Sequence, residues 1–435
     1  MSQYAVKMNE DTSNIVEQRV SEIARPFSKV SQNILNWFVF FIAFPAIELF
    51  GNSITFYLFI AIGVRIGAFW EGAFKGKVLL LLFLILAISS TILAPYMPRH
   101  EGFVASVKIL IQYAYWIFVA LFFISQQKRI DFLQLSKWIF WGTIIASGCF
   151  YFLNVSFGNV IFGINLGSSR NAFVFNLLST IPISFYYIVN KWGKKRAIWS
   201  MPVFLLIMLL TGGRSGAVLI ILQMIIILTI IYPAVQKAAR VLLPIFGLLY
   251  IVMQSDLSQI YMDALATEVE SFNPRFASLL RGEGEGDLTY DKSWLVRKLM
   301  VDKGLEIFNE YPISGIGPNN FDQYDSKLST INQYDRLSGQ NTEFYNSRSA
   351  HNSYIQLLAE MGVPGFLVLI ALLITPILFF ARIFFSNKMG IEYLPLVSLV
   401  GISIHLYAIA ALTGAIAWMV IGISWGILNN SNRLR

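Results

Sequence analysis

Apolar runs of roughly 17–22 residues recur along this chain, separated mostly by short polar turns, and no other feature limits its fold as strongly. Each run has the length a helix needs to cross the ~30 Å hydrocarbon core of a bilayer. Backbone amides and carbonyls inside a bilayer must be paired, and a helix pairs them within itself. An all-α polytopic membrane protein is therefore expected. Twelve spans are predicted, at about 34–50, 53–70, 78–95, 103–124, 138–154, 171–190, 198–211, 216–232, 241–254, 364–381, 393–409 and 412–428. With 56% of residues hydrophobic and 13% charged, the composition excludes an ordinary soluble domain.

The net charge of +8 reads as topology rather than nucleic-acid affinity, because the basic residues sit in small groups between spans. Alternate loops and the tail carry fifteen of them: Lys75, Lys77, Lys128, Arg129, Lys137, Lys191, Lys194, Lys195, Arg196, Lys237, Arg240, Arg382, Lys388, Arg433 and Arg435. The short loops on the other side carry Arg99, Arg170 and Arg214. The positive-inside rule then places both termini in the cytoplasm. Residues 1–33 are polar and of mixed charge, which is not the pattern of a cleavable signal peptide. Ile15, Val16, Val20, Ile23 and Ala24 follow helical spacing before Pro26, so this tail is either a short helix on the cytoplasmic membrane surface or a flexible segment. Cys149 is the single cysteine and excludes an intrachain disulfide.

This orientation divides the chain into the tail, spans 1–9 over 34–254, an outer loop over 255–361, spans 10–12 over 362–428, and a cytoplasmic end at 429–435. Within the loop, helices are predicted at Leu257–Val269 and Ser293–Glu310, the second stopped by Tyr311-Pro312. GEGEGDLTYD at 282–291 reads as an acidic flexible stretch, and ISGIGPNNF as a glycine-rich turn. Tied at both ends, the loop is expected to lie as a lid over the outer face.

Signatures of soluble enzymes are missing: there is no phosphate-binding loop, no dinucleotide fingerprint, no nucleophile elbow and no cysteine–histidine pair at metal spacing. Glu283, Glu285, Asp287 and Asp291 read as a solvated loop rather than a cation site. What remains is a set of cations and one histidine on the outer side. Arg214 lies in TGGRSG, where glycines allow a ligand close to the backbone; the competing reading is an arginine reaching for headgroups. Arg297 lies on the loop helix SWLVRKLMVDKGLEIF, and Arg170 beside Asn171 at the outer end of span 6. Lys108 lies about a turn and a half inside span 4, where an ammonium is expected to face a cavity or a partner. Arg65, near the cytoplasmic end of its span, is expected only to snorkel. His351 and Asn352 open AHNSYIQLLAEMGVPGF, where the long loop meets the next apolar run. Outward cations suit an anionic, lipid-anchored substrate whose diphosphate a guanidinium can grip with paired hydrogen bonds. A neutral imidazole could take a proton from an attacking sugar hydroxyl, and a helix start disfavours its protonated form. The alternative for a single histidine of this kind is a hydrogen-bonding residue at the interface.

The spacing His351-Asn352, nine residues, Gly362-x-x-Gly365 resembles the motif of the bacterial O-antigen ligase and O-antigen polymerase family. Arg297 followed by the Pro-x-x-Gly-x-Gly turn of EYPISGIGPNNF is similar to the loop segment of that family, and TGGRSG to its arginine turn. The resemblance implies a GT-C-like membrane fold in the bacterial inner membrane, with the active site facing the periplasm. It implies an undecaprenyl-diphosphate-linked oligosaccharide donor, with no cofactor, metal or nucleotide sugar. Residue by residue, Arg214 and Arg297 match the arginines that hold the diphosphate, and His351 the histidine that activates the acceptor; Arg170, Lys108 and Asn352 are further candidate substrate contacts. Ligases of the family often continue the second glycine with two threonines, whereas Phe366-Leu367 follow here. That favours a polymerase of O-antigen, capsule or exopolysaccharide, acting on a lipid-linked acceptor beside a chain-length regulator. A ligase acting on lipid A-core and a protein O-oligosaccharyltransferase are the alternatives within the family. The rival of another class is a lipid-linked oligosaccharide flippase, although related halves and midplane polar residues are not evident.

Overall fold

The computed structural model describes residues 27–44, 48–49, 52–66, 75–94, 102–157, 160–161, 164–165, 170–211, 214–232, 234–235, 237, 267–268, 270, 292–329, 331, 349–386, 389–407, 409, 412 and 414–431. In chain order the helices are α1 (Lys29–Ala43), α2 (Ile54–Ile66), α3 (Lys77–Leu93), α4 (Gly102–Gln126), α5 (Phe132–Phe157), α6 (Arg170–Leu210), α7 (Arg214–Ile231), α8 (Lys292–Glu310), α9 (Ser353–Phe385), α10 (Leu394–His405) and α11 (Ala415–Ser431). The only strands among the described residues are two short antiparallel pairs, Glu48–Leu49 with Asn52–Ser53 and Val160–Ile161 with Ile164–Asn165.

Lys108–Gln126, Ala172–Leu210 and Ser353–Phe385 are long and apolar enough to cross a membrane, and shorter apolar helices accompany them. Span 241–254, the N-terminal amphipathic stretch and the acidic stretch 282–291 lie outside the described residues, as does most of Leu257–Val269. The other predicted spans fall on helices, with shifted ends. α6 holds two of them and breaks at Gly193 (φ 83°, ψ 166°). Phe185 and Phe204 sit with ring centroids 5.6 Å apart, whereas continuous helix would separate them by about 28 Å. The two halves therefore lie side by side as a hairpin.

α10 is shorter than its predicted span of 393–409, with 12 residues or about 18 Å of helix. It is also the hub. It packs against α6, α7, α9 and α11, and Leu394, Leu396, Val397, Leu399 and Ile402 are fully buried. Gln223 of α7, itself fully buried, donates through Nε2 to the carbonyls of Leu178 (2.9 Å) in α6 and Val397 (3.1 Å) in α10. One amide thus ties three helices where water cannot compete. Around this hub run the α4–α11, α5–α6 and α1–α5 contacts, filled by large side chains such as Trp418, Phe83, Phe122 and Phe123.

A second, smaller core lies apart from the bundle. Leu299, Met300 and Ile307 of α8 join Ile316, Phe321, Tyr324 and Ala359. The described part of the long loop before α9 is thus packed on its own apolar cluster and seated on the first turns of α9. Replacing the hub amide, Gln223→Ala, is expected to lower stability by about 1–3 kcal/mol, measured by thermal unfolding of the purified protein in detergent. Wild-type stability would show that the three-helix tie contributes nothing.

Candidate active site

The segment AHNS at 350–353 enters α9 through a sequence of fixed points. Ala350 is buried. His351 follows, half-buried and with φ +49°, a left-handed backbone that is uncommon outside glycine and asparagine. Asn352 then caps α9: its side-chain oxygen accepts the amides of Tyr354 (3.0 Å) and Ile355 (3.2 Å). Ser353 closes the entry. Its amide donates to the carbonyls of Leu406 (2.8 Å) and Ile409 (3.1 Å), and its hydroxyl donates to Ile409 at 2.6 Å. Tyr354 adds a hydroxyl bond to the Ser403 carbonyl at 2.5 Å. The histidine is thereby held against the end of α10, where carbonyls left open at and just past the helix terminus gain donors from the start of α9.

Eight residues further on, α9 meets the glycine-rich turn. Gly362 breaks the helix with φ 63° and ψ −169°, a conformation essentially confined to glycine. The amide of Val363 donates to Pro312 (2.9 Å), that of Ile316 to Ala359 (3.1 Å), and that of Gly317 to Glu360 (2.9 Å). A Cβ at Gly362 would strike the Ile313 carbonyl, and one at Gly315 (φ +64°) the Glu360 carbonyl. The Pro-x-x-Gly-x-Gly turn and the Gly-x-x-Gly break, some fifty residues apart in sequence, are thus the two halves of one backbone junction. Ser90 of α3 completes it, its hydroxyl 2.5 Å from the Ser314 carbonyl and 2.7 Å from that of Glu360.

The junction also holds a carboxyl group that the sequence reading passed over. Glu360 is buried. It accepts from Gln356 Nε2 at 2.9 Å, from the Phe321 amide at 3.4 Å, and from the Asn319 amide. The signal was available: a lone acid in the apolar stretch LLAEMGVPG demands buried partners. Nearby, the fully buried Lys303 places its ammonium 5.2 Å from the centre of the Phe321 ring. The far end of the turn is stapled back onto α8. Ser326 and the Lys327 amide bond Glu306, and the Tyr324 hydroxyl donates to Glu310 at 2.6 Å. That hydroxyl, helped by Lys327 and Tyr311, holds the Glu310 carboxyl below the ordinary carboxylate range.

The sequence candidates converge on this end of the bundle by their elements. α8, which carries the exposed Arg297, presses on α9 where Gly304 meets Ile355; Arg297 lies seven residues earlier, two turns or about 10.5 Å along the axis. Arg214 and Arg170 are the first residues of α7 and α6. Gly216 of α7 touches Val174 of α6, and the adjacent Phe175 stacks on His405 of α10 at 6.3 Å. Leu406 follows and accepts the Ser353 amide. The starts of α6 and α7 therefore sit at the end of the bundle that receives His351. Two candidates are placed differently from their predicted roles. Lys108, expected to face a cavity or a partner, is exposed; a long side chain near a helix end can keep its charge in water. Asn352, expected as a substrate contact, is buried and uses its side-chain oxygen as the helix cap. Among the described residues no cluster of three histidine, cysteine or carboxylate side chains is arranged to hold a metal.

A protein-family model described as O-antigen ligase matches residues 199–370. That segment contains Arg214, Arg297, His351, Asn352 and both halves of the glycine junction, and leaves Arg170 and Lys108 outside. No curated protein matches the chain. Gly362→Ala is expected to lower stability by about 1–3 kcal/mol through backbone strain alone, and more through the collision with Ile313. The expected readout is faster proteolytic cleavage within 311–331. Cleavage at the wild-type rate would mean that the junction does not hold the loop.

Proposed function

We propose that this membrane protein of the O-antigen ligase and polymerase family transfers a glycan from undecaprenyl diphosphate to a sugar hydroxyl on the periplasmic side of the inner membrane. The observation that carries the reading is the fixing of His351 at one end of the bundle, where the starts of α6 and α7 and the helix of Arg297 also gather. The match over 199–370 supports glycan transfer of the O-antigen type.

In the proposed step the acceptor oxygen attacks the anomeric carbon of the donor and gives its proton to the His351 imidazole. The bond from the anomeric carbon to the diphosphate oxygen breaks, and the diphosphate leaves with the electron pair. Arg214 and Arg297 hold the developing charge; a guanidinium does so with a fixed fork of donors and without reorganisation. A single displacement inverts the anomeric carbon. The left-handed backbone at His351 and the Asn352 cap support the assignment, since strained, over-determined residues cluster at sites of chemistry. Asn352 enters as a positioning residue, while Arg170 is retained as a further donor contact and Lys108 as a contact at the rim.

Polymerisation is the first reading, because Phe366-Leu367 replace the threonines common in ligases; the acceptor is then a second lipid-linked repeat unit. Ligation to lipid A-core is the second, favoured by the description of the matched family. His351→Ala is expected to abolish formation of longer or transferred glycans from purified lipid-linked donor, with a fall of at least about 100-fold. Turnover at the wild-type rate would remove the base. Arg214→Lys, which keeps the charge and loses the fork, is expected to lower turnover by at least about tenfold at unchanged membrane insertion. Wild-type turnover in that variant would leave Arg214 as a headgroup anchor, and lipid-linked donor moved across vesicles without transfer would favour the flippase.

A further inference from the structure

The end of the bundle opposite His351 carries a built groove for which glycan transfer has no use. α3 runs from Lys77 to Leu93 and meets the glycine junction through Ser90, so its start lies about 20 Å away. There α3 begins, α9 ends and α11 passes alongside, enclosing a groove of about 610 Å³, within the size range of ligand sites. Its walls are apolar: Val78 and Leu79 from α3, Leu378 and Phe379 from α9, Trp425 and Leu428 from α11. The shape is fixed by buried contacts. Trp425 donates its indole N–H to the Leu372 carbonyl at 3.0 Å and covers Gly76 with its ring. Asn429 donates to the Lys75 carbonyl at 3.0 Å.

Two cations complete the lining, Lys75 just before α3 and Arg382 in the last turn of α9. Both are exposed, and among the described residues no acidic side chain lines the groove. An apolar trough with two positive charges in its lining matches a molecule with an acyl chain and a phosphate. A free phosphate would leave the trough empty, and a zwitterionic lipid would bring its ammonium against two cations. We infer that this groove holds one anionic phospholipid of the adjacent leaflet, its phosphate between Lys75 and Arg382 and an acyl chain along Val78, Leu378 and Trp425. The site lies on the side that the basic loops assign to the cytoplasm. It depends on the membrane placement of the helices and not on the chemistry at His351.

The test uses the full-length protein, reconstituted with equal amounts of phosphatidylglycerol and phosphatidylcholine of identical chains, and counts retained lipids by native mass spectrometry. Wild-type protein is expected to keep one phosphatidylglycerol in preference to phosphatidylcholine by about tenfold. The double substitution Lys75→Gln/Arg382→Gln is expected to lose that preference, while Lys75→Arg/Arg382→Lys and His351→Ala keep it. Equal retention of the two lipids by the wild type overturns the inference, and this arm decides even where the double variant fails to fold. An unchanged preference in a folded double variant overturns it too, as does displacement of the phosphatidylglycerol by an equimolar prenyl phosphate, which would give the groove to a different lipid.

Discussion

Three backbone hydrogen bonds between residues 312–317 and 359–363 carry the architecture at the His351 end of the bundle. At two points the chains approach so closely that a Cβ would collide with a facing carbonyl, and Gly315 and Gly362 carry none. The junction turns a long polar insertion into a packed layer. It aligns α8 on α9, gives the small core of Leu299, Ile307, Ile316 and Phe321 its floor, and places Glu360 where amides from the turn can satisfy a buried carboxyl. Ser90 then connects this layer to the bundle through α3.

The bundle beneath depends on polar ties of the same kind. Gln223 joins three helices, Asn176 donates to the carbonyl of Ala43 at 3.0 Å, and the Trp418 and Trp425 indoles each reach a main-chain carbonyl. In a lipid environment apolar packing alone discriminates poorly between helix arrangements, because lipid chains are as apolar as leucine. Placed donors therefore set which helices become neighbours. α10 shows the result: a short, mostly buried rod, with Ile404 left exposed, around which longer helices assemble.

Much of this was legible from the chain. Length and hydropathy located the helices, since a run that spans a bilayer can hardly be anything else. The pairing of His351-Asn352 with Gly362-x-x-Gly365, and the separate Pro-x-x-Gly-x-Gly turn, pointed to residues that meet in space. Their mutual contact was not legible, because Gly317 and Glu360, or Ser90 and Glu360, 270 positions apart, are joined by folding and not by period. The shortness of α10 was hidden for a similar reason. Just past its end, the carbonyls of Leu406 and Ile409 are met by Ser353, a partner from another part of the sequence. Lys108 was judged by the cost of a charge in lipid, and the structure leaves it on an exposed helix face.

The attachment of Ser353 to the terminus of α10 makes the histidine a passenger of the bundle rather than of the loop. The backbone at 351 is one residue from that attachment, so its place is set by the end of α10. Repositioning the backbone at 351 would therefore require shifting the end of α10, or breaking the three hydrogen bonds that Ser353 makes there.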